Sequence, residues 1–300
     1  MPCWMRTATT AIWQTALSVS KSVSSPTAQT RVAFLGPRGT FSHSAVLNFF
    51  GESAALLDYP TIDDVFAAVD SGAADFGVVP VENSTEGAVN NTLDCLVDTE
   101  LKIAGEVIVP IEHHLLAQAG TAKTAITRIL SHKQSLAQCR KWLAKNWPDT
   151  AQVEVASNAE AARIAAREAG TAAIAGQMAA TLYELEIIAP AIQDQKDNST
   201  RFLVMGWEFP PASGRDKTST LIYTENRPGA LFRVLEPFER YQVSLTRIET
   251  RPSRTTVWDY VFFVDFEGHV SDAAVRQVLD KLKDCTAEVK ILGSFPMARR

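Results

Sequence analysis

Four short runs of small polar residues carry the side chains best suited to chemistry. They are Gly39-Thr40-Phe41-Ser42-His43, Glu82-Asn83-Ser84-Thr85-Glu86-Gly87, Ser131-His132-Lys133-Gln134 and Asn198-Ser199-Thr200-Arg201-Phe202. Each of the first three follows an apolar, strand-like run and precedes a helical pattern. A helix start exposes unpaired N–H groups and the positive end of its dipole, which suits an anion. Small hydroxyl and amide side chains leave room for that anion and add donors. In open α/β sheets such turns line the ligand crevice. Singly, each run is better read as a helix cap than as a site, since Ser, Thr and Asn are preferred there. Three in one stretch point to a small ligand bearing carboxylates. The fourth run lies between a polar loop and the apolar stretch 203–205, where an Asn-led turn is the simple account.

Other chemistries lack their residues. His113-His114 has no Glu or Cys at helical metal-ligand spacing and reads as a buried or surface pair. Gly36-Pro37-Arg38-Gly39 is neither a P-loop nor a dinucleotide fingerprint, and no Gly-x-Ser-x-Gly elbow occurs. Trp142, Trp147, Trp207 and Trp258 read as core or interface residues. The 300 residues are 46% apolar and 21% charged with net charge -5, a globular composition without the basic surplus of a nucleic-acid binder. No apolar run approaches the roughly 18 residues of a membrane span. Cys3, Cys95, Cys139 and Cys285 are scattered without a CxxC pair, which fits reduced thiols in the cytoplasm.

The elements that must position these residues begin at Arg31. Residues 1–30 hold Arg6, Lys21, many Ser and Thr and no acid; a weak transit-like leader fits, and a disordered tail is the preferred reading. Strands are expected at 31–35, 76–81, 102–110, 129–130, 153–156, 172–175 and 203–205. Helices are expected with Ala45, Val46, Phe49 and Phe50 on one face, then Ile62, Val65, Phe66 and Val69, then Val89, Leu93, Leu96 and Val97. A further helix carries Leu136, Cys139 and Leu143, and another opens at Gly176. Thr61 with Asp64, and Ser157 with Glu160, form capping boxes. This alternation implies a parallel or mixed α/β sheet with helices on both faces, in two lobes around a cleft. Lobe one is expected at about 31–108 and 194–207, lobe two at about 109–193. Pro210-Pro211-Ala212-Ser213-Gly214 marks a linker over 208–217. Beyond it, strand 219–224, helix 229–240, strands 243–250 and 257–266, helix 272–282 and strand 288–293 give the ferredoxin-like βαββαβ order over 218–297. Pro228 suits the first helical turn. So small a domain is expected to pair with a copy of itself, giving a homodimer or homotetramer.

On Gly36 to His43, Val79-Pro80-Val81 with Glu82 to Gly87, Ser131-His132, Gln138-Cys139 and Ser199-Thr200-Arg201-Phe202, the sequence closely resembles the prephenate dehydratase family. The likeness covers 31–207. Arg227-Pro228-Gly229-Ala230-Leu231 and Glu249-Thr250-Arg251-Pro252 resemble an ACT domain, the amino-acid-sensing module that commonly follows. The resemblance implies a two-lobed, type 2 periplasmic-binding-protein-like fold. It also implies a cofactor-free and metal-free loss of carbon dioxide and the ring hydroxyl from prephenate, giving phenylpyruvate. By the same likeness Thr200 is the main catalytic candidate, with Asn83, Ser131 and Gln138. Thr40, Ser42, Glu82, Ser84 and Phe202 are substrate contacts. Gly229, Ala230, Leu231, Glu249, Thr250, Arg251 and Pro252 form the site for the inhibitor L-phenylalanine. The chain departs from the family at Lys133, where Pro is usual, and at Thr250, where Ser is common. Many bacterial relatives carry a chorismate mutase upstream, for which 1–30 is too short. Arogenate dehydratases of plants differ in the first motif, which favours prephenate. The alternatives are arogenate as substrate, or a non-catalytic amino-acid sensor on the same scaffold.

Overall fold

Val32, Ala33 and Phe34 are wholly buried in β1 (Arg31–Leu35), as expected of an apolar run covered on both faces. The computed structural model describes residues 30–225, 227–252 and 260–298. Residues 1–29 of the expected leader and 257–259 of the expected strand 257–266 lie outside the described residues. The chain forms two compact units, one from 30–93 with 107–202 and the other from 94–106 with 203–298. The sequence places the division at the 208–217 linker alone. The structure also gives 94–106 to the C-terminal unit, because that stretch finds its polar and strand partners there.

In the first unit β1 pairs in parallel with β2 (Ala55–Tyr59) on one side and β3 (Phe76–Asn83) on the other. The two-residue β4 (Gly87–Ala88) folds back antiparallel on β3, and β11 (Ser199–Gly206) lies on β3's far side. Helix α1 (Phe41–Phe50) is capped by Thr40, and α2 (Ile62–Asp70) by the Thr61 hydroxyl, which accepts from Asp64 N at 3.1 Å. Helix α3 (Asn90–Asp98) follows β4. The run 82–87 therefore closes a hairpin and does not open a helix directly, a difference from the sequence reading. Strand β5 (Lys102–Pro110) comes next in the chain.

The second sheet of this unit has the order β10-β6-β9-β7-β8. Its strands are β6 (His114–Ala117), β7 (Arg128–Ser131), β8 (Ala151–Glu154), β9 (Thr171–Ala175) and β10 (Glu186–Ala189). Their side chains split by alternation. Leu115, Ile129, Ala172 and Ile174 share one core with Leu136 of α4 (Lys133–Gln138) and Leu143 of α5 (Arg140–Asn146). Leu116, Leu130, Ala173 and Ala175 share the other with Ala161, Ala162 and Ala165 of α6 (Asn158–Ala165) and Ala179 of α7 (Gln177–Leu182). The single helix expected through Cys139 is two, because Cys139 leaves the helical region at φ -109, ψ 9.

The second unit follows the expected βαββαβ order. It comprises β12 (Asp216–Thr224), α8 (Ala230–Arg240), β13 (Leu245–Pro252), β14 (Tyr260–Glu267), α9 (Ala273–Cys285) and β15 (Glu288–Pro296). The sheet runs β13-β14-β12-β15, and β15 continues to β5 through the Gly293–Ile103 pair. Val234 and Phe238 of α8 and Val275, Val278 and Leu282 of α9 pack on Ile222, Val264 and Phe266. Pro228 stands before the helix and not in its first turn; Gly229, at φ 78, is the N-cap.

Candidate active site

The first unit encloses a cavity of about 470 Å³, within the size range of small-ligand sites. Its wall is assembled from segment ends on both sheets. Gly39 to Ser42 come from the start of α1, Asn83 and Glu86 to Val89 from the β3–β4 hairpin, and Gln134, Ser135 and Gln138 from α4 with its N-cap His132. Ser157 and Asn158 at the start of α6, Gly176 before α7, and Thr200 in β11 complete it. Gly176 lets the ring of Phe41 close in: a Cβ there would stand 3.0 Å from Phe41 Cε1.

Thr200 and Asn83, 117 residues apart, meet at the cavity wall. Thr200 Oγ1 accepts from Asn83 Nδ2 at 2.9 Å. The same Nδ2 donates to Asn198 Oδ1 at 2.8 Å and lies 3.3 Å from the Ser199 carbonyl oxygen. Asn83 Oδ1 accepts the backbone N–H groups of Thr85 and Glu86, each at 3.0 Å. Gln138 reaches the same cluster: its Oε1 lies 2.9 Å from His113 Nε2 and 3.3 Å from Asn198 Nδ2, and its Nε2 donates to Glu86 Oε1 at 3.3 Å. Thr200 is buried to 9% exposure, and His113 to 1%. Burial holds the His113 pKa below the ordinary imidazole value; the Gln138 bond opposes that and the neighbouring His114 adds to it.

The other expected site residues fall into two groups. Thr40 and Ser42 line the cavity; the Thr40 hydroxyl also reaches the Pro37 carbonyl at 3.0 Å. Ser131, Glu82, Ser84 and Phe202 do not line it. The Ser131 hydroxyl is fully buried, 2.7 Å from the Ile174 carbonyl and 3.0 Å from Asn158 Oδ1. That Oδ1 also receives the Ser135 hydroxyl at 3.0 Å and His132 N at 3.2 Å, so Asn158 is left to offer a ligand its Nδ2. Ser84 Oγ accepts Ser199 N at 3.0 Å and so laces the β3 turn to β11. Glu82 pairs with Arg201 at 3.6 Å, and Phe202 is a core residue at 2% exposure. Lys133, for which the family usually has Pro, opens α4 but is absent from the cavity wall.

Glu86 is the one Asp, Glu, Lys or Arg among the cavity-lining residues. Cys139 is inert as a nucleophile, since burial pushes its thiol up to about 12. Among the described residues no group of His, Cys, Asp and Glu has the arrangement of a metal site. His113 and Asn158 escaped the sequence reading as site residues, and Glu86 stood in the second polar run without a role of its own. His113 was visible only as half of a histidine pair, and Asn158 is hidden behind the Ser157 cap.

The prephenate dehydratase family profile matches residues 32–209, and the ACT domain profile matches 218–284. The chain belongs to the prephenate dehydratase family. It is 50% identical over 268 residues to the bifunctional chorismate mutase/prephenate dehydratase of Pseudomonas aeruginosa, covering 89% of this chain and 73% of that protein. It is 38% identical to the prephenate dehydratase of Lactococcus lactis, covering 88% and 97% of the two chains. The Arthrobacter aurescens prephenate dehydratase crystallised with L-Phe superimposes with a TM-score of 0.82 at 34% identity, covering 89% of this chain and 90% of that one. The matching family segment contains every residue of the cavity wall.

In the ACT-matching unit Gly229, Ala230 and Leu231 line an open hollow of about 280 Å³ with Thr224, Phe232 and Tyr260. Glu249 to Pro252 do not line it. They form the end of β13, and Arg251 binds Asp94 at 2.6 Å.

Proposed function

We propose that the cavity turns prephenate into phenylpyruvate as a carbon–oxygen lyase, with Thr200 as the donor to the departing hydroxyl. The bond from the ring to its carboxylate breaks, its electron pair enters the ring, and the C–O bond opposite breaks to release hydroxide. Carbon dioxide, hydroxide and the phenylpyruvate anion balance the prephenate dianion. Aromatisation drives the step, so no electron sink is needed. One observation carries the reading: Thr200 Oγ1 already accepts from Asn83 Nδ2, so its own hydrogen is the part it can offer the cavity. Gln138 and Ser42 supply neutral donors around it, Asn83 spends its Nδ2 on Thr200 and Asn198, Thr40 caps α1, and the N-cap ends of α1 and α6 favour the carboxylates. Ser131 acts from behind the wall, its hydroxyl anchored mainly on the Ile174 carbonyl beside Asn158, which Ser135 and the His132 N–H hold.

Arogenate is the second reading. Its ammonium would replace the side-chain keto group of prephenate, and the Glu86 carboxylate is the feature that favours it. Incubation with each substrate, followed by ultraviolet detection of phenylpyruvate or phenylalanine, decides between them. No turnover of either would leave the sensor reading. We place phenylalanine at the hollow of Gly229 to Leu231 where two ACT units meet in a cytoplasmic homodimer. Phenylalanine there would favour a less active state by a coupling of about 1–3 kcal/mol. Saturating phenylalanine is expected to reduce turnover about 5- to 150-fold; inhibition unchanged by Leu231→Ala would move the effector elsewhere.

A further inference from the structure

The polarity of the amide cluster can be read without assuming which atom of each amide is oxygen. Two backbone N–H groups, of Thr85 and Glu86, fix the acceptor end of Asn83. Its other end is therefore the NH2, which must meet an oxygen of Asn198 at 2.8 Å. That leaves the Asn198 NH2 toward Gln138, which must present its oxygen there. The Gln138 NH2 then faces the Glu86 carboxylate, an acceptor only. The assignment closes from both ends, since Glu86 contributes the first donor through its backbone and the last acceptor through its side chain. His113 Nε2 lies 2.9 Å from the Gln138 oxygen and is thereby the protonated ring nitrogen. His113 Nδ1 is buried without a hydrogen-bond partner among the described residues, as an unprotonated nitrogen can be.

From this circuit we infer that His113 and Asn198 are positioning residues, whose two N–H donors hold the Gln138 oxygen away from the cavity centre and its NH2 beside Glu86. The inference rests on the reading of Gln138 as a substrate contact. If either donor is lost, the amide can rotate and offer an acceptor where the substrate carboxylate needs a donor. Neither residue belongs to the site derived from the sequence, where His113 reads as packing and Asn198 as a turn.

The kinetic test compares His113→Phe, His113→Gln and Asn198→Asp, each in the full chain and again with Gln138→Leu. His113→Gln keeps an N–H near the lost Nε2, whereas Asn198→Asp keeps the acceptor toward Asn83, deletes the donor toward Gln138 and adds a negative charge, whose effect the Gln138→Leu background separates. With prephenate, His113→Phe and Asn198→Asp are expected to lose roughly 10- to 100-fold in kcat/KM. His113→Gln is expected to recover most of that loss. In the Gln138→Leu background the same changes are expected to add less than about twofold, since their target is gone. Equal loss in His113→Phe and His113→Gln, or full additivity with Gln138→Leu, overturns the inference. Nitrogen-15 spectra of the unmodified protein test it independently of turnover. The inference expects a neutral His113 with pyrrole-like Nε2 and pyridine-like Nδ1, and the reverse tautomer overturns it. A protein that shows this tautomer but turns over no prephenate would sink the proposed reaction while leaving the positioning geometry standing.

Discussion

Thr200 sits where one hydrogen bond defines what it can do. Replacing it by Val keeps the shape, removes the donor and leaves Asn83 Nδ2 with Asn198. Loss of one preorganised donor costs about 2.7–4 kcal/mol, so kcat is expected to fall about 10²- to 10³-fold with little change in KM. Thr200→Ser should keep most of the rate. A raised KM with kcat intact would make Thr200 a binding group only. The buried histidines give a second residue-scale expectation. Burial lowers the pKa of His43, helped by Arg38 and opposed by Asp58; burial lowers that of His114, opposed by Glu112; His113 follows the same rule. In the unfolded chain each takes up a proton near pH ~6.5. Below that value the unfolded chain binds more protons than the folded one. Stability from these groups is therefore complete above about pH 6.5 and is lost as pH falls toward the depressed folded values. Urea midpoints measured from about pH 8 to pH 5 should drop on the acid side, and a flat profile would count against the three buried imidazoles.

At the scale of elements, close strand–helix contact explains one glycine. In β3, a Cβ on Gly77 would lie 3.0 Å from both Val65 Cγ1 and Val69 Cγ2 of α2. Gly77→Ala is expected to destabilise by about 1–3 kcal/mol through overpacking, read as a lowered thermal midpoint. An unchanged midpoint would mean that α2 can move out freely. The same packing decides how far the sequence could be read. The apolar runs of β1 and β9, and the N-caps Thr61 and Ser157, were legible because their signals are local. β2 was not, since its side chains are only half-buried and do not alternate. β6 and β10 are four residues each, too short to show a period. The break at Cys139 is silent because Leu136, Cys139 and Leu143 stay in one core across it. Asn83 and Thr200 stood in runs singled out by residue type, but their roles, and Gln138 altogether, came only through family likeness. The bonds that join them to His113 and Asn198 depend on the tertiary fold alone.

At the scale of the whole molecule, the stretch 94–106 belongs with the C-terminal unit through polar links that no local pattern announces. Lys217 Nζ binds both carboxylate oxygens of Glu106 at 2.9 Å, with side chains 9% and 2% exposed. Ala298 N donates to the same carboxylate at 3.1 Å. Lys290 Nζ donates to the Val97 and Thr99 carbonyls at 3.0 and 2.5 Å. A cut after residue 207 would remove all of these partners at once, the Lys217 ammonium among them. A fragment 30–207 is therefore a poor test of whether phenylalanine acts through the ACT unit, since it should lose stability along with regulation. A substitution isolates the cause better. Lys217→Met removes an ammonium group from a buried carboxylate and is expected to cost about 3–5 kcal/mol in urea unfolding, while Lys217→Met with Glu106→Leu should recover most of that loss. If the double variant is as unstable as the single one, the pair is not what ties 94–106 to β12, and the strand pairing of Gly293 with Ile103 would carry the link instead.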